Sequence, residues 1–201
     1  MEENKEVMCK RIFNAMNYVF CHSQNVSYHR YVMRTLSKNP GNHALQTISG
    51  NNSLITGSYR HALGEFLRVW MENKSNPLIC LLIGLTFTHM ACKKDLSSRH
   101  MLCIRGLAFL RRYELTRSVK QEVYYNLGRA FHQLSITTLA IYFYEKALKE
   151  APPQVVNEDG EPEPAERYDM TRFAAHNLAL MYHTSGNIPL AYEVMEKYLV
   201  I

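Results

Sequence analysis

QEVYYNLGRAFHQLSITTLAIYFYEKALKEAPP, residues 121–153, is the stretch that decides the fold. Counted from Gln121, small residues stand at positions 8 and 20, as Gly128 and Ala140. Small side chains at these places let two antiparallel helices of one hairpin approach each other closely. Aromatic residues at positions 11 and 24, Phe131 and Tyr144, are expected to fill the space beside that crossing. The stretch therefore predicts a helix-turn-helix unit.

This spacing is the tetratricopeptide (TPR) pattern, whose period is about 34 residues. A proline at position 32 fits it, because proline supplies no backbone N–H and ends the second helix. The sequence differs from the general pattern at Ser135, where glycine is usual. The residues that carry the pattern are Tyr124, Leu127, Gly128, Phe131, Ala140, Tyr144, Ala147 and Pro152.

The same pattern recurs along the chain. Gly50 and Gly84 mark units that begin at His43 and Pro77, and Ala179 marks a unit that begins at Arg172. The unit from Pro77 is longer than the period, so we expect its second helix to be long or offset. Together these units predict an all-α chain, a right-handed α-solenoid of about five TPR hairpins.

The repeats also predict a division of the chain. Residues 1–42 are expected to form a degenerate, TPR-like helical hairpin, and residues 43–151 are expected to form TPR repeats. Residues 152–168 are rich in proline and glutamate and are expected to form an acidic loop inserted between two repeats. Residues 169–201 then form a C-terminal TPR.

Charge is distributed unevenly over the 201 residues. Residues 1–120 hold 17 Lys and Arg against 7 Asp and Glu, whereas residues 121–201 hold 6 against 11. A basic half is compatible with nucleic acid or with an acidic partner, although solvated helix faces have the same composition. The basic residues of the irregular unit form a predicted basic patch of Lys93, Lys94, Arg99, Arg105, Arg111, Arg112, Arg117 and Lys120.

The sequence leaves three possible binding partners for this basic patch. It could neutralise DNA phosphates, take an acidic segment of a partner protein, or take the acidic loop of the same chain. The sequence has no DNA-recognition motif and no aromatic platforms beside these charges, which favours a protein partner over direct contact with DNA.

Other function classes find little support. The nine histidines are scattered, with no H-x-x-x-H pair, so we expect no metal site, and no phosphate-binding glycine motif occurs. Cys80, Cys92 and Cys103 fall within helical patterns and are expected to pack in the core rather than act as nucleophiles. No apolar stretch is long enough to span a membrane. The sequence therefore predicts a protein that is not an enzyme and has no cofactor, small-molecule substrate or membrane partner.

By analogy with other TPR arrays, the first helix of each hairpin lines a groove that holds another polypeptide. Asn126 and Asn177 share position 6, where an amide can donate to and accept from an extended partner backbone. The alternative is that both asparagines only cap a helix or lie on a solvated helix face. No unit supplies the Lys and Asn set of the chaperone-tail carboxylate clamp. The predicted groove residues are Tyr125, Asn126, Arg129, His132, Gln133, Phe173, His176, Asn177, Leu180 and His183.

Five segments in a fixed order carry a more specific resemblance. They are GNNSLITGSYRHALGEF (50–66), PLICLLIGLTFTHMA (77–91), RHMLCIRGLAFLRRY (99–113), YYNLGRAFHQL (124–134) and HNLALMYHTSGN (176–187). They resemble the C-terminal region of the TPR subunit of transcription factor TFIIIC, a general factor of RNA polymerase III. That subunit is far longer, so the resemblance implies that the chain is a fragment or a short isoform.

The resemblance implies a scaffold in the nucleus. It implies that the chain holds other TFIIIC subunits and supports recruitment of TFIIIB to transfer RNA and 5S ribosomal RNA genes, with promoter DNA reached mainly through the complex. A generic TPR adaptor or co-chaperone, and a DNA-contacting module built on the basic repeat 93–120, are the alternatives.

Overall fold

A computed structural model of the protein describes residues 26–93, 98–155, 162, 166 and 168–199. Residues 1–25 of the predicted N-terminal hairpin, Lys94 of the basic patch and most of the predicted acidic loop lie outside the described residues, as do residues 200–201.

Nine helices form the described part of the chain, joined mostly by short turns. Their order is α1 Val26–Lys38, α2 His43–Ile55, α3 Tyr59–Glu72, α4 Pro77–Ala91, α5 Arg99–Thr116, α6 Lys120–Gln133, α7 Thr137–Lys149, α8 Thr171–Thr184 and α9 Ile188–Tyr198.

The helices pack as consecutive pairs. Helix α2 packs on α3, α6 on α7 and α8 on α9, with further packing of α1 on α2 and of α7 on α8. The units predicted at His43 and Pro77 begin at those residues, and α5 is the long second helix predicted for the irregular unit, with 18 residues. The all-α fold of paired helices that the sequence predicted is therefore confirmed.

The described chain divides into two compact units. One contains the residues up to Met90 together with Met101–Phe109, and the other contains Ala91–His100 together with the chain from Leu110 onward.

In the first unit, glycine makes room for the close contacts between helices. A side chain added at Gly50 would collide with the ring of Phe66, which is completely buried. In the α4–α5 pair a glycine of the second helix also makes a close contact, because a Cβ at Gly106 would lie 3.3 Å from the carbonyl oxygen of Gly84 and 3.2 Å from the Cβ of Phe87.

The second unit repeats the glycine-and-ring contact. A Cβ at Gly128 would lie 2.6 Å from Cδ1 of Tyr144, whose side chain is completely buried. Phe131 stacks on Phe143 with ring centroids 5.4 Å apart and planes 4° apart. Gly128 thus lies directly beneath the ring of Tyr144, and Phe143 is an aromatic partner of Phe131 that the pattern did not predict.

The turns inside three hairpins share one backbone conformation. Gly57 and Gly186 have φ of 78° and 82°, in the left-handed region that glycine enters easily. Ser135 occupies the corresponding place in the α6–α7 turn with φ of 61°. The departure from the TPR pattern at Ser135 therefore changes the residue but keeps the shape of the turn.

The prediction that the cysteines pack in the core is right for Cys80, which is completely buried, and wrong for Cys92, which is exposed. Helix α4 ends at Ala91, so Cys92 lies in the turn beyond it, outside the helical pattern that suggested burial. Cys103 is half-buried.

Within the described residues, no helix is long and apolar enough to cross a membrane. No cluster of His, Cys, Asp and Glu in this same part of the chain is arranged to hold a metal ion.

Candidate protein-interaction site

Helices α6 and α8 are the first helices of two consecutive hairpins, and their N-terminal ends are joined by a buried glutamine. Gln121 is only 1% exposed, and its Nε2 donates to Oδ1 of Asp169 at 3.0 Å and to the hydroxyl of Thr171 at 3.2 Å. Its Oε1 accepts from the backbone N–H of Met170 at 3.1 Å. Since a buried amide is stable only when it is hydrogen-bonded, this network fixes the start of α8 against α6.

The Gln121 network also reaches back to the end of α7. Nε2 of Gln121 donates to the backbone carbonyl of Glu150 at 3.3 Å, so the same amide contacts the chain just before and just after the inserted segment. Helix α7 itself ends at Lys149, shortly before Pro152. This end is expected because the residue before a proline disfavours helical geometry.

Aromatic rings join the two helices farther along. The ring centroid of Tyr125 lies 6.2 Å from that of Phe173 and 6.3 Å from that of Tyr144. Phe173 is 58% exposed, whereas Tyr125 is half-buried. These contacts form a partly exposed aromatic surface whose base is the buried Tyr144.

Spacing along each helix extends this surface. On α6, Arg129 and His132 follow Tyr125 at i+4 and i+7, and on α8, His176 and Leu180 follow Phe173 at i+3 and i+7, so each set lies on one face of its helix. Leu180 is 46% exposed. We call the set of Tyr125, Arg129, His132, Phe173, His176 and Leu180 the α6/α8 face.

The arginine and the first histidine of the face are positioned by tyrosines. The guanidinium of Arg129 lies 5.8 Å from the ring centroid of Tyr125, within range of a cation–π interaction. Nδ1 of His132 lies 3.4 Å from the hydroxyl of Tyr144. Burial, together with the nearby Tyr125, raises the pKa of Tyr144 to about 12, so this hydroxyl stays protonated at neutral pH.

The two asparagines at position 6 already have partners within the chain. Nδ2 of Asn126 donates to the hydroxyl of Tyr113 at 3.1 Å, and the side chain of Asn177 hydrogen-bonds to the hydroxyl of Tyr144. Tyr113 in turn donates to Oε1 of Glu122 at 2.7 Å. The sequence pattern gave no sign of these bonds to tyrosine, because both tyrosines lie on other helices.

The remaining predicted groove residues lie at the edge of the face. His183 is exposed near the end of α8, and Gln133 is half-buried at the end of α6, where its carbonyl oxygen accepts from Sγ of Cys92 at 3.3 Å. The structure thus brings Tyr125, Arg129 and Phe173 together and directs both position-6 asparagines toward the fold.

Charge on the α6/α8 face has one sign. Helix α8 carries Arg172, His176 and His183 and has no Asp or Glu. Helix α6 has one carboxylate, Glu122, which bonds to Tyr113 and to Nε of Arg117 at 3.0 Å. No carboxylate of either helix is therefore directed onto the face with Arg129.

The predicted basic patch makes many contacts within the chain. Arg111 forms an ion pair with Glu114, and Arg117 forms one with Glu122. Nζ of Lys120 donates to the carbonyl oxygens of Glu114 at 3.1 Å and of Arg117 at 3.2 Å. Several of these cations are therefore already bound.

The other described members of the patch are exposed. Lys93, Arg99 and Arg112 belong to the second unit, and Nη2 of Arg99 donates to the carbonyl oxygen of Lys93 at 3.5 Å. Arg105 belongs to the first unit. These four residues lie at the surface, in contrast to the half-buried Arg117.

A concave region lies among α7, α8 and α9. Its lining includes Glu145, Lys149, Glu193 and Lys197, so positive and negative groups are present in equal number. Tyr182 donates to Oε1 of Glu145 at 2.9 Å across it, and burial together with Glu145 raises the pKa of Tyr182 to about 12. Balanced charge and an internal hydrogen bond make it a weaker candidate than the α6/α8 face.

The amino-acid sequence is similar to those of three transcription factor subunits. The sequence is 42% identical over 191 residues to General transcription factor 3C polypeptide 3 of Homo sapiens, a match that covers 95% of the chain. This chain is a homologue of part of that subunit. It is also 33% identical over 150 residues to Transcription factor tau subunit sfc4 of Schizosaccharomyces pombe, and 34% identical over 146 residues to the Transcription factor tau 131 kDa subunit of Saccharomyces cerevisiae. The resemblance to the TFIIIC subunit is confirmed.

The chain spans only a small part of these relatives. The match covers 21% of General transcription factor 3C polypeptide 3, 15% of the Schizosaccharomyces pombe subunit and 13% of the Saccharomyces cerevisiae subunit. No protein-family model matches the sequence.

Solved structures independently support the TPR fold. A thermophilic TPR protein of Thermus thermophilus superimposes with a TM-score of 0.69 at 13% identity, covering 94% of this chain and 88% of that one. MamA superimposes with a TM-score of 0.56 at 16% identity, covering 86% of this chain and 85% of that one. At these identities the similarity concerns the fold alone.

Proposed function

We propose that this chain is a protein-interaction scaffold in a TFIIIC-type complex of the nucleus. In this role it holds other TFIIIC subunits and supports recruitment of TFIIIB components for transcription of transfer RNA and 5S ribosomal RNA genes by RNA polymerase III. The observation that carries the proposal is the 42% identity to General transcription factor 3C polypeptide 3 over 95% of the chain.

The α6/α8 face supplies a surface for that role. An exposed aromatic ring beside a second, half-buried ring and an arginine is a composition enriched at protein interfaces. The base of the surface is rigid, because Tyr144 is completely buried beneath it. A partner therefore meets a surface that needs little ordering when it binds.

Contact with promoter DNA is assigned mainly to the complex rather than to this chain. The ion pairs of Arg111 and Arg117 reduce the charge that the basic patch offers to phosphates. Among the residues that the structure describes, no observation favours a DNA-contacting module over a protein scaffold.

The experiment is a pull-down of the purified full chain against separately expressed TFIIIC subunits and TFIIIB components. We expect at least one of these proteins to be captured, and the double substitution Tyr125→Ala with Phe173→Ala to weaken capture about tenfold or more. Tyr192→Ala is the matched control, because Tyr192 is 67% exposed on α9 and outside the face. Capture of none of the proteins would contradict the proposal.

A further inference from the structure

We propose that the α6/α8 face takes an extended acidic segment of a partner protein, anchored by one aromatic or aliphatic side chain. The inference rests on the proposed function, since it names the chemistry of the segment that the scaffold would hold at this face.

Charge complementarity identifies the acidic character of the segment. Arg129 on α6 and Arg172 on α8 are both exposed, and His176 and His183 lie on the same helix as Arg172. Helix α8 has no carboxylate, and the carboxylate of Glu122 on α6 is occupied by Tyr113 and Arg117. The carboxylate of Asp169, just before α8, interacts with the charge of Arg172, and its Oδ1 accepts from Gln121 and Thr171. Both neighbouring carboxylates are thus hydrogen-bonded within the chain, whereas Arg129 is exposed, so an acidic segment meets attraction and a basic segment would meet repulsion.

The anchor follows from the exposed apolar groups. Phe173 is 58% exposed and Leu180 is 46% exposed, although both belong to a helix whose opposite side is buried. The ring of Tyr125, 6.2 Å from that of Phe173, forms one side of this apolar area. Burying such groups under an aromatic or aliphatic side chain removes apolar surface from water, which stabilises the complex.

The same observations favour a peptide over a nucleic acid. Non-specific binding of a single strand uses a groove in which cations follow successive phosphates, together with rings that stack on the bases. The face has one arginine, Arg129, with Arg172 beside Phe173 at its edge, and it has no lysine. Leu180 adds aliphatic surface that phosphates do not use. Two cations beside an apolar area suit a segment with a few carboxylates and one apolar residue.

The test measures fluorescence anisotropy of a fluorescein-labelled peptide in which glutamates flank one phenylalanine and one leucine, titrated with the full chain. A second peptide replaces every glutamate by glutamine, and a third replaces phenylalanine and leucine by serine. We expect each change to weaken binding about tenfold. We also expect added salt to weaken only the peptides that contain glutamate.

Substitutions in the protein locate the binding. Arg129→Gln with Arg172→Gln should weaken binding of the glutamate peptide about tenfold and leave the glutamine peptide unaffected, while Phe173→Ala should weaken both. Arg30→Gln with Arg60→Gln removes the same charge from exposed positions on α1 and α3 and should leave binding unchanged. Circular dichroism and thermal melting of each variant verify that it is folded.

Several results would overturn the inference. The first is equal affinity of the full chain for the glutamate and glutamine peptides. The second is unchanged binding of the glutamate peptide by the Arg129→Gln, Arg172→Gln variant. The third is competition by an oligouridylate of similar length that is as strong as competition by the unlabelled glutamate peptide. If any of these occurs while subunit capture still depends on Tyr125 and Phe173, the scaffold function stands and the acidic segment is wrong. Loss of subunit capture altogether would count against the scaffold function instead.

Discussion

In the α6–α7 hairpin, a glycine lies beneath a tyrosine ring, whereas the same positions of the α8–α9 hairpin hold an alanine and a methionine. Gly128 has no space for a Cβ because Tyr144 lies against it, while Ala179 and Met195 occupy the corresponding places in the next hairpin. The second helices also differ in burial, because α7 packs on both α6 and α8 whereas α9 packs on α8. Ala140, Tyr144 and Ala147 are completely buried on α7, and Ala191 is the buried residue among those described on α9.

The two hairpins show that the repeat constrains a pair of positions rather than single residues. When position 8 has no side chain, a rigid ring fits over the backbone, as at Gly128 and also at Gly50 beneath Phe66. In the α8–α9 hairpin, where position 8 is Ala179, position 24 is a methionine, whose flexible side chain adapts its shape to irregular space. The change in the free energy of unfolding caused by a substitution at one of these positions should therefore depend on the residue at the other.

The largest effect we expect is from Tyr144→Ala. Removing a completely buried aromatic side chain leaves a cavity and should lower the free energy of unfolding by about 3–5 kcal/mol. Met195→Ala in the other hairpin should lower it by less than half as much, because Met195 is only partly buried. Urea denaturation followed by circular dichroism measures both changes.

Tyr192→Ala is the control for these two substitutions. Its side chain is exposed, so the free energy of unfolding should change by no more than about 0.5 kcal/mol. Equal destabilisation by Tyr144→Ala and Met195→Ala would contradict the comparison.

The next effect concerns Gly128→Ala. The new Cβ would lie 2.6 Å from Cδ1 of Tyr144, so overpacking should lower the free energy of unfolding by about 1–3 kcal/mol. Combining it with Tyr144→Met recreates the residue pair of α8–α9 and should recover part of that loss. A double-mutant cycle measures the coupling.

Gly64→Ala is the matched control for this cycle. Gly64 lies inside α3 with open space where its Cβ would be, so alanine should stabilise the protein by about 0.4–1 kcal/mol through its helix propensity. If Gly128→Ala had the same effect in the unaltered chain and in the Tyr144→Met variant, the two positions would be independent.

A smaller effect distinguishes the turns of the two hairpins. Ser135 adopts φ of 61° where α8–α9 has Gly186 with φ of 82°. Because a left-handed conformation is unfavourable for residues with a Cβ, Ser135→Gly should raise the free energy of unfolding by about 1 kcal/mol, and Gly186→Ser should lower it similarly. Thermal melting of both variants tests this, and a loss of stability in Ser135→Gly would show that the serine hydroxyl matters more than the backbone.

The smallest effect concerns the junction between the hairpins. Burial opposes ionisation of Asp169, but hydrogen bonds from Thr171 and Gln121 and the charge of Arg172 outweigh it and lower the pKa of this carboxyl below its ordinary 3.8. The stabilisation is therefore complete above pH 3.8 and is lost as the pH falls through the lower value of the folded protein.

Asp169→Asn should remove this pH-dependent stabilisation. The variant should be less stable than the unaltered chain at pH 7 by under about 1 kcal/mol, because the carboxylate is partly exposed. The difference should vanish under more acidic conditions. Urea denaturation at a series of pH values measures it, and a difference that persists in acid would contradict the assignment.

Much of this fold was predictable because TPR packing is local. Gly128, Ala140 and Tyr144 lie within one period, so the residues that pack together in a hairpin are close in sequence and their spacing can be recognised directly. The same is true of the helix starts at His43 and Pro77. The prediction for Cys92 was wrong because α4 ends at Ala91, which is buried, and Cys92 is the next residue, in the turn, where its side chain is exposed.

The candidate site was less predictable. Analogy with other TPR arrays predicted Tyr125, Arg129 and Phe173 as groove residues, and in the structure Tyr125 lies near both of the others. The bond from Asn126 to Tyr113 joins separate helices, and the bond from Asn177 to Tyr144 does so too, so periodicity contains no information on them. Their identification required the positions of neighbouring helices.

Gln121 has a practical consequence for engineering the protein. Its amide contacts Glu150 on one side of the inserted segment and Asp169, Met170 and Thr171 on the other, so the two ends of the insert are clamped by the repeat itself. An epitope or a fluorescent reporter inserted between Glu150 and Asp169 would therefore leave and re-enter the fold at two points that one glutamine side chain holds together.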